Sequence, residues 1–227
     1  MGSKKHTRRG QPIYITAYGS EKRLPGEPFE EFPIIFSKPM VRAILAGEKT
    51  QTRRVIYDPC NGVTTIIEDR MPFAVSNEND QFYPRISPYG KPGDQLWVRE
   101  AFSAWFGGTH WYEYADKRRR RLGADVTNIF YRATHHLPDD DQKWVPSIFM
   151  PRWASRITLE LTNVRVERLH DISSSDVQAE GFDSLEAMQK LWQTINGKKH
   201  PWESNPWLWV LEFKLVKQKK LEMCDGV

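Results

Sequence analysis

Apolar positions recur at alternate residues along most of the chain, and at helical spacing in only three short stretches. "FPIIF" (32–36) reads as a short buried strand. In the following "SKPMVRAILAGEK", Ser37 suits an N-cap, Pro39 a first helical turn, and Met40, Ala43 and Ile44 one apolar face. Gly47 stands where a left-handed C-cap would end that helix. "TQTRRVI" (50–56) then alternates as a strand, with Thr50, Thr52 and Arg54 on one side and Gln51 and Arg53 on the other. "QLWVREAF" (95–102) and "NIFYRA" (128–133) are two further strands.

From residue 156 the alternation is clean. "RITLELTNVRVERL" sets Ile157, Leu159 and Leu161 on one face and resumes at Val164 and Val166 after a shift at Asn163, which predicts a bulge or a turn. "DISSSDVQAEGF" carries a capping-box pair, Ser173 and Asp176, on a short helix stopped by Gly181. "SLEAMQKLWQTING" lines up Leu185, Met188, Leu191, Trp192 and Ile195 on one helical face and ends at Gly197. "WLWVLEFKLV" (207–216) alternates Trp207, Trp209, Leu211, Phe213 and Leu215 as a strand of the central sheet.

The intervening stretches have little periodicity. Residues 57–92 are rich in Pro, Asn and Asp and close in the turn "SPYGKPGD". Residues 103–127 hold an aromatic patch (Trp105, Phe106, Trp111, Tyr112, Tyr114) and an arginine run, and 135–155 reads as a long connection with aromatic anchors. Residues 1–31 read as an arm and 218–227 as a loose Lys-rich tail. Strands dominate, helices are few and short, and no βαβ rhythm appears. The expected class is α+β, a small mixed β-barrel with short helices covering its openings.

Bulk properties narrow the classes. A chain of 227 residues suits one well-buried core, and 39% apolar residues with nine tryptophans exclude a wholly disordered chain. No apolar run approaches the roughly 18 residues of a membrane span. The basic start "MGSKKHTRRGQP" has no apolar stretch behind it and does not read as a secretory signal. His6 stands where a myristoylation pattern needs Ser or Thr. Cys60 and Cys224 form neither a disulfide framework nor a zinc site and suit a reducing cytoplasm. His135 and His136 lack neighbours at metal-ligand spacing and read as loop residues. The net charge of +4, gathered in 4–9, 49–54 and 117–121, is compatible with nucleotide or nucleic-acid partners without demanding them. The run Lys117–Arg121 reads as a solvated basic segment.

Candidate chemistry centres on "KTQTRR" (49–54). Three readings stand at this level. Lys49, Arg53 and Arg54 are surface charges on a strand edge; or the cluster binds a phosphate or a nucleobase, with tryptophans as stacking faces; or Thr52 is a nucleophile with Lys49 as its base. The last needs burial or a cationic neighbour, such as Arg54, to lower the lysine pKa. It also needs a bend after Gly47, because residues 49 and 52 of a regular strand face opposite ways. Glu100 ends the "WVRE" strand and reads as a salt-bridge partner of an arginine. Glu180 ends a short helix, against the dipole preference there, which hints at a tertiary role. The tryptophans of "WESNPWLWV" (202–210) read as core and lid packing.

Four blocks, "ILAGEKTQTRR", "PGDQLWVRE", "DVQAEGF" and "WVLEFKLV", occur in an order that resembles the ASCH domain of the PUA-like superfamily, over about residues 33–216. The family's G-x-K-x-x-T-x-R motif corresponds to Gly47, Lys49, Thr52 and Arg54. By that resemblance the chain is one PUA-like barrel domain over 32–217, with insertions at 57–90 and 103–153, and "MPRWASRITLE" and "LWQTING" are similar to phage and prophage members. The resemblance implies an amidohydrolase, without metal or other cofactor, that removes the acyl group from N4-acylated cytosines such as N4-acetylcytidine. Thr52 would be the nucleophile, Lys49 its base, and Glu180 the group that positions Lys49 or passes on its proton. Arg54, Gly47, Trp97 and Glu100 would form the substrate-binding set. The rival implied by the same family is an RNA-binding module or ribonuclease, which the basic and aromatic insertions would favour. A third is a binding partner for a host factor with the motif idle.

Overall fold

Five strands carry the principal core of the chain, for which the computed structural model describes residues 28–56, 66–67, 71–76, 81–84, 87–106, 109–110, 126–135 and 143–218. The sheet is ordered β1 (Glu31–Ile35), β6 (Gln95–Arg99), β10 (Ile157–Arg168), β11 (Trp207–Gln218) and β2 (Gln51–Val55). β1 and β6 are parallel, and the other neighbours are antiparallel. The architecture is therefore mixed α+β around a five-stranded mixed sheet. Its two edges, β1 and β2, form no ladder with each other among the described residues. A side chain spans them instead, as Arg54 donates from Nη2 to the Ile35 carbonyl at 2.6 Å and lies over the Phe36 ring at 5.2 Å.

Local sequence sets the elements around this sheet. Helix α1 (Lys38–Ala46) starts behind Ser37, whose extended backbone caps it without a side-chain bond, with proline in its first turn. Its most buried residues are Val41 and Ile44, while Met40 and Ala43 are half-buried, so the apolar stripe is rotated from the expected one. Gly47 closes the helix at φ 77° and donates to the Ile44 carbonyl. A left-handed residue here reverses the chain within one turn, and only glycine adopts it without a Cβ penalty. Ser173 caps α2 (Ser174–Ala179) in a capping box with Asp176, and Ser184 caps α3 (Leu185–Asn196). Met188 and Trp192 of α3 are buried, whereas Leu185 and Ile195 remain exposed, a narrower apolar face than the periodicity predicts.

Two strand features differ from expectation or refine it. The shift at Asn163 is a bulge within one continuous β10, where the register against β11 slips between Leu161 and Asn163, with a second slip between Thr158 and Leu159. β11 is covered on both faces, not one. Trp209, Leu211 and Phe213 join the main core, while Leu208 packs on the other side with Leu169 and Trp192. Central strands buried on both faces lose the polar half of the alternation.

Residues 57–92, poor in periodicity, nonetheless contain the antiparallel strands β3 (Ile66–Ile67), β4 (Met71–Ser76) and β5 (Gln81–Pro84). Their short lengths and prolines conceal the alternation in the sequence. A further sheet places β7 (Phe102–Phe106) between β8 (Thr109–His110) and β9 (Val126–Tyr131). It carries its own core of Phe102, Ala104, Tyr131, Val145, Met150 and Ala154. The connection 135–155 contributes Val145, Met150 and Ala154 to this core, and Trp153, one of its aromatics, packs against it. No helix among the described residues is long and apolar enough to cross a membrane. Most of the 1–31 arm, Cys60, Trp111, Tyr112, Tyr114, Lys117–Arg121, His136 and the tail beyond 218 lie outside the described residues.

Candidate active site

The turn at Gly47 directs the chain across the C-terminal end of α2. Glu48 and Lys49 donate their amides to the Ala43 carbonyl, and the Thr50 amide donates to the carbonyl of Ala179, the last residue of α2. Lys49 therefore precedes β2 and does not share its alternation, so the bend expected after Gly47 is present. Gly181, at φ 84°, makes the crossing close, since a Cβ added there would lie 3.4 Å from the Cβ atoms of both Ala43 and Lys49.

The lysine side chain is completely buried and ends on Glu180. Nζ donates to the carboxylate Oε2 at 2.6 Å and to the Glu180 backbone carbonyl at 2.8 Å. This explains the glutamate set against its helix dipole. A cation fills the last turn of α2, taking both an otherwise open carbonyl and the unfavourable carboxylate. Burial pulls the Lys49 ammonium below its usual pKa; the pair with Glu180 opposes that, and the positive charges of Arg54 and Arg53 add to the depression.

Arg53, on the opposite side of β2 from Arg54, extends the cluster. Its Nη1 lies 3.4 Å from Glu180 Oε1 and also bonds the Gln51 side-chain carbonyl. Its Nη2 meets Glu167 Oε2 at 3.0 Å and Asp176 Oδ2 at 3.3 Å. Arg165 ties the same carboxylates from β10, pairing with Asp176 Oδ1 at 2.9 Å and with Glu167 and Glu212. Burial alone would raise the Asp176 pKa, but hydrogen bonds from Gln51 and Ser173 and the charge of Arg53 hold it well below the usual carboxylate range. A depressed carboxylate contributes stability that is fully present above its unfolded value of about 3.9 and is lost as pH falls below that value. Acid titration of folding should therefore show wild type losing stability below about pH 4 more steeply than Asp176→Asn, and parallel curves would contradict this account.

A cavity of about 360 Å³ opens beside the cluster. Its polar lining comes from Thr52, Arg53, Arg54 and Glu180 together with Asn196, Lys199 and His200, and its aromatic surfaces from Tyr89, Phe182 and Trp192; Lys49 does not line it. Such a mixture suits a planar polar ligand. Among the described residues, no hydrogen bond joins Thr52 Oγ1 to Lys49 Nζ.

The candidates named from the sequence thus divide. Lys49 and Glu180 meet directly, and Thr52, Arg54 and Glu180 share one cavity. Gly47 shapes the turn before them. Trp97 is half-buried on β6, with Arg99 and Arg152 over its ring at 5.4 and 5.9 Å, and does not line this cavity. Glu100 does not line it either. It is buried in a two-pronged pair with Arg156, at 2.9 and 3.1 Å, the salt-bridge arrangement read for it from the strand end. Arg53 was set apart from the chemistry in the sequence and stands inside it here. The signal available was its alternation with Gln51; its carboxylate partners lie more than a hundred residues away.

No protein-family model matches the chain, and no curated protein matches it. Two solved structures are similar at low level. Protein EF3133 from Enterococcus faecalis V583, of family-model DUF984, aligns at 12% identity and TM-score 0.40 over 86% of this chain and 85% of its own. Hypothetical protein PH0355 aligns at 9% identity and TM-score 0.36 over 82% of this chain and 99% of its own.

Proposed function

We propose that the chain is a PUA-like, ASCH-type domain that hydrolyses the amide of an N4-acylated cytosine nucleoside or base, with Thr52 as nucleophile. The observation that carries this reading is the buried Lys49–Glu180 pair, whose glutamate lines the same cavity as Thr52 and Arg54. The contact that Arg54 of β2 makes with Ile35 of β1, the two edge strands of the five-stranded sheet, supports a barrel of this type.

The chemistry follows from these groups. Lysine held below its usual pKa has more of the neutral amine needed to accept a proton at neutral pH. Lys49 takes the Thr52 hydroxyl proton as Oγ1 bonds to the amide carbonyl carbon. Arg54 donates to the oxyanion that forms. The C–N4 bond then breaks, and the departing exocyclic amine receives the proton back from Lys49. Lys49, neutral again, takes a proton from water as the hydroxide adds to the threonyl ester carbonyl; the acyl C–Oγ1 bond breaks, Thr52 Oγ1 takes that proton back from Lys49, and the carboxylic acid leaves. Glu180 keeps Nζ in place throughout. The reading requires a Thr52–Lys49 hydrogen bond to form when substrate binds, since Nζ is given to Glu180 in its absence.

The test is hydrolysis of N4-acetylcytidine by the purified chain, followed as release of cytidine. Turnover above the uncatalysed rate is expected; its absence for N4-acetylcytosine and N4-acetylcytidine alike would overturn the reading.

A further inference from the structure

The cluster around Glu180 contains one cation more than the reaction needs. Arg53 is 7% exposed, and it projects from the middle of β2 into a space bounded by α2 and the end of β10. It is not simply one half of an ion pair. Its two terminal nitrogens reach three carboxylates and one amide: Glu180 and Gln51 from Nη1, Glu167 and Asp176 from Nη2. Its Nε is buried without a hydrogen-bond partner. A guanidinium seated at that cost is held by its terminal fork, and the fork fixes the direction of whatever it grips.

We infer that Arg53 is the positioning residue of this site: by taking Glu180 Oε1 it reserves Oε2 for Lys49, dividing one carboxylate between two cations. The inference rests on the amidohydrolase reading only for its catalytic consequence; the division of Glu180 stands on geometry. Oε2 lies 2.6 Å from Lys49 Nζ and Oε1 lies 3.4 Å from Arg53 Nη1. A carboxylate free to rotate could offer both oxygens to the lysine and would hold it as the ammonium. Shared in this way, it orients the amine while granting it less than its full negative charge. The second tier controls how strongly Arg53 draws on Glu180. Glu167 and Asp176 pull the guanidinium toward β10 and α2, and Arg165 occupies both of those carboxylates from the other side.

The charged groups that face Lys49 from the packed elements are Glu180, the C-cap of α2, and Arg53 and Arg54 on β2. Removing positive charge from this set should raise the lysine pKa, and removing an anion that competes for Arg53 should lower it. Two variants therefore have opposite signs. Arg53→Gln removes the cation that holds Oε1, so Lys49 should titrate at least about one unit higher, a tenfold smaller neutral fraction at fixed pH. Glu167→Gln, at a partly exposed position, frees Arg53 to draw harder on Glu180, and Lys49 should titrate lower.

The experiment is NMR titration of lysine labelled with ¹³C at Cε in full-length wild type, Arg53→Gln and Glu167→Gln, with Lys49→Met to assign the resonance. On N4-acetylcytidine, the acid limb of the kcat profile should move with the NMR value, while KM changes less than about twofold. An unmoved Lys49 resonance in folded Arg53→Gln overturns the inference, as does an activity loss equal at every pH. Should Arg53→Gln fail to fold, Glu167→Gln decides alone: a downward shift sustains the inference, and no shift or an upward one ends it. A wild type without turnover would sink the amidohydrolase reading and leave the NMR result still decisive for Arg53.

Discussion

Glu100→Ala is expected to lose about 3–5 kcal/mol of folding stability, the usual cost of stripping one partner from a buried ion pair. For a chain of this length that is a fall in Tm of roughly 10 °C. Both members are almost wholly shielded, Glu100 at 2% and Arg156 at 7% exposure. Burial pushes the Glu100 carboxyl up in pKa, and the two bonds from Arg156 pull against that shift. Arg156 is otherwise committed to Thr134, at 2.9 Å, and to the face of Tyr131, at 4.1 Å. Neither can replace a carboxylate. Alanine thus strands a guanidinium where the main sheet meets the second core. Glu100→Gln, which keeps an acceptor and the volume, should lose much less. Thermal unfolding measures the difference. The folded fraction of Glu100→Ala should keep its KM for N4-acetylcytidine; a raised KM with an unaltered Tm would instead return Glu100 to the substrate.

Glu100 also illustrates what can be read along a chain. Its pairing with an arginine was the plain expectation for a glutamate ending a "WVRE" strand, but which arginine depended on a partner 56 residues away. Features decided within a few residues were legible: the helix ended by Gly47, the capping box of Ser173 and Asp176, and the bulge at Asn163. Each rests on a backbone preference or a neighbouring hydrogen bond. What failed was fixed by tertiary neighbours. β11 looks one-sided in sequence because Leu208 and Val210 fall between its larger residues, and only the packing beyond the sheet buries them. The strands within 57–92 pair with each other, and their prolines mask the period.

The site shows the same boundary more sharply. Lys49, Thr52 and Arg54 stand close in sequence, and their spacing drew attention to chemistry. Glu180 gave a second local sign by standing at the wrong end of a helix. Arg53 gave only its alternation with Gln51, which a basic residue beside a basic motif makes easy to pass over. Its role emerges only where β2, α2 and the end of β10 meet.

Thr52→Ala and Lys49→Ala should each reduce kcat/KM for N4-acetylcytidine by about 10³-fold or more, the range for losing a nucleophile or its base. The double variant should be nearly as active as either single one. The lysine has nothing to deprotonate once Thr52 is gone, and the threonine hydroxyl stays protonated without Lys49, so the second substitution removes a function already lost. Independent roles would instead multiply the two losses, and that outcome would contradict the paired mechanism. Thr52→Ser should retain measurable activity, since it keeps the hydroxyl and discards only a methyl. The pH profile supplies a separate check. The active form is the neutral amine, so the rate should rise with pH through the Lys49 titration and level off below the ordinary lysine value, in keeping with the burial that depresses it. A profile flat from pH 5 to 9 would remove Lys49 as the base even if its substitution abolished activity. In that case its 2.6 Å bond to Glu180 would be structural, tying the turn before β2 to the end of α2.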